Sequence, residues 1–252
     1  MVEVMYTKED LIALFRKFGI HKGMIVLVEA NGSMQNYIAG GEQMVIEVLK
    51  ELLGSQGCII APSFTFETLD PATQGDFRFD YSSWNEVRES LFGFDKRLSQ
   101  SRNLFANQLM LNPGSERSNH AVYSFVIHGK FDSKTIRQCA NYPVSFDSVF
   151  KSMLSRDTGI LCFDKSPLSS SIFYALTRNT PYEESIILRA YKQKGKEKEV
   201  QTFLMNKPLE FKIRQFLKNK EKIHYADLGN HDISCFALDM RSDNKDAVFF
   251  KN

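Results

Sequence analysis

The sequence predicts an α/β protein with a mixed, largely parallel central sheet and helices on both faces. Three observations carry this prediction. The run Met24 to Val28 is short, apolar and rich in β-branched residues, which suits a strand buried on both faces. Glu42 to Leu53 then repeats apolar residues at helical spacing through Met44, Val45, Val48, Leu49 and Leu52. Gly54 to Gly57 reads as a turn into a second apolar run, Cys58 to Ala61. Strand, loop, helix and strand in this order form one crossover unit. Such units favour parallel pairing and put ligand sites on the loops that leave the carboxyl ends of the strands. Glu29 to Gly41 is therefore the first loop to suspect.

The remaining elements follow from the same signals. Thr7 followed by Asp10 resembles a capping box, and Leu11, Leu14, Phe15 and Phe18 recur at helical spacing until Gly19 stops the pattern. From Glu67 to Asn119 the chain is polar, aromatic and irregular, and carries the single Trp, Trp84. It reads as a long, partly helical excursion over one sheet edge, on the substrate side. Further strands are expected at Tyr123 to Ile127, Gly159 to Phe163 and Ser185 to Ala190, and a helix start at Ser170 to Ala175. Lys192 to Lys198 reads as a solvated hairpin turn around Gly195, so the C-terminal third is the more β-rich. The expected organisation is one domain over residues 1–252, with the insertion at about 67–119.

Composition excludes several classes of function. With 43% hydrophobic and 25% charged residues, the 252-residue chain can bury a sizeable core. A net charge of +2 predicts neither a nucleic-acid nor a membrane-surface partner. Cys58, Cys139, Cys162 and Cys235 lie far apart with no CxxC pair, so neither a zinc knuckle nor a disulfide scaffold is suggested. No metal site is expected, since no histidine pair has ligand spacing. No run reaches about 18 apolar residues. These features predict a cytoplasmic protein without a membrane span.

Specific residues go further. Lys22-Gly23-Met24-Ile25-Val26-Leu27-Val28, a loop ending in Gly40-Gly41, a helix, and Gly57-Cys58-Ile59-Ile60-Ala61-Pro62-Ser63-Phe64-Thr65-Phe66 form one pattern. Phe94-Asp95, Pro113-Gly114, Arg117-Ser118-Asn119-His120 and Ser124-Phe125 continue it in order. Together these stretches resemble the aminoglycoside 3-N-acetyltransferase family over about Leu11 to Arg178. A looser match falls on Phe146-Asp147-Ser148-Val149-Phe150. The resemblance implies transfer of an acetyl group from acetyl-CoA to an amine of a small-molecule amino sugar, an antibiotic or a surface-glycan precursor. A homodimer stays open.

In that chemistry an ammonium must lose a proton to a positioned base before it attacks a thioester, and donors must steady the oxyanion that forms. The family's base is a His held by a Glu. Phe173 stands where the His belongs and Leu176 where the Glu belongs, and neither can accept a proton. Among retained polar residues, the resemblance makes His120 the catalytic candidate. It makes Asp95 a substrate-binding candidate, and Ser33, Gly40, Gly41, Arg117 and Ser118 cofactor-binding candidates. Glu67, with Asp70, lies just past the Pro62 to Phe66 strand end, where acids can meet a cationic substrate, and Glu67 is the second substrate-binding candidate. Glu29 aligns with a family His and sets a negative charge near the path of an anionic cofactor.

Three readings stay open: an acetyltransferase with its base relocated, a non-catalytic relative that binds a sugar or a protein, and a different acyl-transfer or hydrolytic activity built on His120 and Asp95. A Ser118, His120 and Asp95 triad would lack a nucleophile-elbow motif. His128, His224 and His231 are assigned structural or surface roles. Cys58 and Cys162 lie inside apolar runs, where a thiol is a small buried hydrophobe.

Overall fold

Thr7 and Asp10 form the expected reciprocal cap. The Thr7 hydroxyl accepts from the Asp10 N–H, and the Asp10 carboxylate accepts from the Thr7 N–H at 2.9 Å, starting α1 (Lys8–Lys17). Gly19, at φ +84°, turns the chain away behind it. This computed structural model describes residues 5–73, 80–132, 155–176, 184–207, 209–220 and 223–238, with positions 134, 149, 152 and 153. Cys139, Arg178 and all of the Phe146 to Phe150 stretch but Val149 lie outside the described residues.

Next come β1 (Ile25–Ala30), α2 (Gly41–Leu53), β2 (Cys58–Pro62), α3 (Trp84–Ser90), α4 (Leu104–Met110), β3 (Ser115–Arg117), β4 (Phe125–Gly129) and β5 (Thr158–Phe163). They are followed by α5 (Phe173–Leu176), β6 (Glu184–Lys194), β7 (Glu197–Lys207), α6 (Glu210–Asn219), β8 (Ile223–Asp227) and β9 (Asp232–Leu238). Among the described residues, seven strands form the main sheet in the order β3-β4-β2-β1-β5-β9-β8. The pairs β1/β2 and β1/β5 are parallel, while β4 and β9 each run antiparallel to both their neighbours. Five of the seven strands therefore point one way, as a largely parallel mixed sheet requires.

Both faces are covered. Strand period two sends Val26 and Val28 to one face, where they meet Leu11 and Phe15 of α1, Val45 and Leu49 of α2, and Phe105 and Leu109 of α4. Ile25 and Leu27 point to the other face, against Phe173 of α5 and Ile213 and Phe216 of α6. Full burial of such side chains contributes about 1.5–3 kcal/mol each.

The structure revises two boundaries. Strand β1 continues through Glu29 and Ala30, so the loop after it is shorter than expected and holds a 3-10 turn, Met34–Asn36. The 67–119 segment is only partly an excursion, because α4 packs into the core and β3 joins the sheet edge. Its outer part meets the β6/β7 hairpin through bridges Leu69 to Ala190 and Phe94 to Lys192. Gly195, at φ +62°, makes the predicted hairpin turn.

Candidate active site

From β1 the chain crosses to β2 on one side, whereas β5 pairs on the other. A sheet of this kind opens a crevice outside the carboxyl ends of its parallel strands. A cleft of about 330 Å³ lies there. Its walls are Asn31 and Gly32 after β1, Pro62, Phe64 and Phe66 at and after β2, Lys165 after β5, and Arg102 and Asn103 ahead of α4. The Asn103 amide donates to the Pro62 carbonyl at 3.0 Å and fixes one wall.

Glu29, one residue before the end of β1, lies on the face of Ile25 and Leu27 and is completely buried. One carboxylate oxygen accepts from the Ser171 N–H at 2.7 Å and from the Ser171 hydroxyl. The other faces the Lys165 ammonium at 2.9 Å, an ion pair rather than a directed hydrogen bond. The negative charge expected beside an anionic cofactor is thus enclosed and compensated, and the cleft meets the lysine instead.

The two retained family motifs meet each other. Arg117 is buried, donating through Nε to Ser124 Oγ at 2.9 Å, through one terminal nitrogen to the Ser63 carbonyl at 2.7 Å, and through the other to the Ser99 carbonyl. Its guanidinium lies over the Phe94 ring at 4.9 Å. Burial lowers its pKa to about 10, with Asp95 acting in the opposite sense. Arg117 also lines a second cavity, of about 310 Å³, beside Glu42, Arg97 and Gln108. Ser118 accepts from the Phe125 N–H at 2.8 Å.

His120 is buried with Nδ1 accepting from the Val122 and Tyr123 N–H groups at 3.1 and 3.0 Å. Nδ1 is therefore the acceptor nitrogen and Nε2 carries the proton. Burial, with the nearby Lys192 charge, pushes the imidazole down to about 3. Among the described residues, no hydrogen bond joins Ser118, His120 and Asp95 into a triad.

Asp95 closes a turn, its Oδ1 accepting from the Arg97 and Leu98 N–H groups at 2.7 and 3.0 Å. Glu67 is exposed at the cleft's rim, 3.2 Å from Arg102 Nε. Asp70 is buried and engaged by Arg88 at 3.0 and 3.2 Å and by the Tyr191 hydroxyl at 2.7 Å. Burial works to raise its pKa, but Arg88 and Tyr191 outweigh this and hold it below the usual carboxylate range.

Ser33 caps the Met34–Asn36 turn by accepting from Gln35 N–H at 3.2 Å. Gly40 and Gly41 have φ of +84° and +56°, and a Cβ on Gly41 would sit 2.7 Å from Gln35 Cγ. They let Glu42 reach back and accept from the Met34 N–H at 2.9 Å.

Phe173 is fully buried, stacked on Phe236 with ring centres 6.2 Å apart and edge-on to Phe216 at 6.0 Å. Cys58, Cys162 and Cys235 are buried free thiols. Burial pushes Cys58 and Cys235 up to about 12, and Cys162 is raised by burial and then by the Glu29 charge. Among the described residues, no three or more His, Cys, Asp or Glu side chains group as a metal site would, and no helix is long and apolar enough to cross a membrane.

Sequence reasoning missed Lys165, Arg102 and a pair beside them. Asp164, just past β5, has φ +48°, and its Oδ2 lies 2.8 Å from His231 Nδ1. The rule that singled out the loop after β1 applies equally to the residues after the apolar run Gly159 to Phe163, and would have marked Asp164 and Lys165.

A sequence profile described as aminoglycoside 3-N-acetyltransferase matches residues 27–238. The chain belongs to that family. It is 28% identical over 187 residues, covering 71% of this chain and 68% of the relative, to the SPbeta prophage-derived aminoglycoside N(3')-acetyltransferase-like protein YokD of Bacillus subtilis (strain 168). The crystal structure of YokD superposes with a TM-score of 0.79 at 22% identity, covering 98% of this chain and 92% of that one. AAC-IIIb in a binary complex with CoASH superposes with a TM-score of 0.76 at 13% identity, covering 98% and 94%. AAC-VIa bound to sisomicin gives 0.75 at 15% identity, covering 98% and 96%.

Two outcomes are expected. The folded His120 titrates near 3 against an ordinary 6.5, so the unfolded chain binds the extra proton between these values. The contribution of His120 to stability is complete above 6.5 and lost as pH falls through that window, at about 1 kcal/mol per pH unit. His120→Asn keeps an acceptor for the two N–H groups without titrating. Urea unfolding from pH 7 to pH 4 should therefore show a shallower loss in the variant, and parallel curves would contradict this. Phe173→His puts an imidazole among phenylalanines and should destabilise the protein by about 2–4 kcal/mol without creating a base, read as a lower melting temperature.

Proposed function

We propose that the chain is an acetyl-CoA-dependent N-acetyltransferase whose acceptor is an amine of an amino sugar. The observation that carries this reading is the strand-end cleft, which combines an aromatic wall, Phe64 and Phe66, with two cations, Arg102 and Lys165. That donor set fits acetyl-CoA: cations suit its phosphates and an apolar wall suits its thin pantetheine arm. Bound acetyl-CoA supplies an activated acetyl thioester. Arg102, whose guanidinium is exposed, would hold its anionic end and the aromatic wall would exclude water, while Lys165 stays paired with Glu29.

Glu67, at the rim, is the acid we assign to the acceptor's ammonium. Arg117, Ser118 and Asp95 are assigned to holding the walls, since their polar atoms are engaged within the protein. Gly40, Gly41 and Ser33 shape the loop beside α2. His120 is assigned to its turn, because Nδ1 already accepts two N–H groups. Buried free thiols favour a reducing, cytoplasmic setting.

One observation favours a second reading, a non-catalytic binder of a sugar or protein: Phe173 occupies the family base's position as part of the apolar core.

Calorimetric titration with acetyl-CoA tests the first reading. Saturable binding is expected below about 1 mM, and Arg102→Ala should weaken it roughly tenfold. Thiol release with a panel of amino sugars should follow. No binding at about 1 mM would overturn the reading, and tight sugar binding without thiol release would favour the second.

A further inference from the structure

We infer that Asp164 and His231 form the proton-accepting pair of the cleft, replacing the base that Phe173 cannot supply. This rests on the acetyl-transfer reading above. The chain has five histidines, and position alone separates them. His21 precedes β1, and its Nδ1 meets the Gly19 carbonyl. His128, on β4 opposite Ile59 of β2, meets Ser115. His224 begins β8 and stacks on Phe18. These three lie toward the amino ends of the parallel strands, away from the cleft. His120 is enclosed, with Nδ1 engaged by two N–H groups.

Among the described residues, His231 alone is bonded to a carboxylate, and it sits at the end of the sheet where β1, β2 and β5 finish. Strand β9 runs antiparallel to β5, so its first residues adjoin the last residues of β5, with Ile233 opposite Phe163. The Asn31 amide, which lines the cleft, donates to the Asp164 carbonyl at 3.0 Å, and Lys165, the next residue, lines the cleft too.

The geometry sets the tautomer. A carboxylate only accepts, so Nδ1 of His231 donates to Asp164 Oδ2 at 2.8 Å and Nε2 is left as the basic atom. Stacking on Tyr37, with ring centres 3.8 Å apart and planes 14° from parallel, fixes the ring. Asp164 Oδ1 accepts from the Asp232 N–H at 3.0 Å, which fixes the carboxylate. Among the described residues, Asp164 is bonded to the imidazole and Tyr37 stacks on it, with Glu42 acting on Tyr37 and Asp227 and Asp232 paired across the adjoining β8/β9 turn. Asp164 takes left-handed backbone at φ +48°, a conformation that aspartate tolerates, and its carboxylate meets His231.

His231 Nε2 takes a proton from the acceptor's ammonium. The freed nitrogen lone pair forms a C–N bond to the thioester carbonyl carbon, and the nitrogen then releases a second proton to water. The tetrahedral oxyanion reforms its carbonyl as the C–S bond breaks. The departing sulfur takes the proton from Nε2, giving amide, free thiol and one proton to solvent.

The test measures thiol release for the wild type, His231→Gln and Asp164→Asn between pH 5.5 and 9, with melting temperature and acetyl-CoA affinity as controls. His231→Gln should lower kcat at least about 10²-fold with acetyl-CoA affinity unchanged, and should abolish the acid limb of the pH profile. Asp164→Asn should lower kcat while keeping an acid limb. Wild-type transfer that His231→Gln leaves unchanged overturns the pair and spares the acetyltransferase reading. Absence of wild-type transfer with every amine overturns both.

Discussion

Glu29 is a carboxylate removed from water at the end of a strand that is apolar on both faces. Moving such an ion into a protein interior costs several kcal/mol, and the arrangement is stable only because the charge is met by an ammonium and by hydrogen-bond donors. Lys165 provides the first and Ser171 the second, at 2.9 and 2.7 Å. These partners come from two loops on the far side of the sequence. One carboxylate therefore ties the end of β1 to the loop after β5 and to the approach to α5. That union fixes Lys165 and the neighbouring Ala30, both of which line the cleft.

The walls are held by a different device. Arg117 reaches three neutral partners, Ser63, Ser99 and Ser124, and pins the segment before α4 against the ends of β2 and β4. Thr65 and Thr68 both donate to the Ala121 carbonyl, at 2.6 and 2.9 Å, and Gln201 of β7 accepts from the Ala121 N–H at 2.9 Å. The family motifs around Pro62 to Phe66 and Arg117 to His120 thus serve largely to hold one another. These contacts hold the segments beside the cleft without any help from Phe173, which is part of the apolar core.

Much of the fold was legible because its core strands are short apolar runs and its first helix carries a reciprocal cap. Strands β1, β2 and β5 fall within two residues of their predicted positions. Strands β3, β8 and β9 were not found: edge strands such as Ser115-Glu116-Arg117 and Ile223-His224-Tyr225 have one wet side and no apolar run, whereas β9 was missed although Ile233, Cys235, Phe236 and Leu238 are buried. Helix α6 was missed although Ile213, Phe216 and Leu217 carry its helical spacing. The site was less legible for a simple reason. Glu29 and Ser171 are 142 residues apart, and Asp164 and His231 are 67 apart, so only the folded sheet brings them together.

A double-mutant cycle on Glu29 and Lys165, followed by urea unfolding, tests the claim that this buried charge organises the site. Lys165→Met alone should cost about 3–5 kcal/mol by stranding the carboxylate, and adding Glu29→Gln should recover at least about 2 kcal/mol of that loss. Costs that simply add, within about 0.5 kcal/mol, would contradict the account.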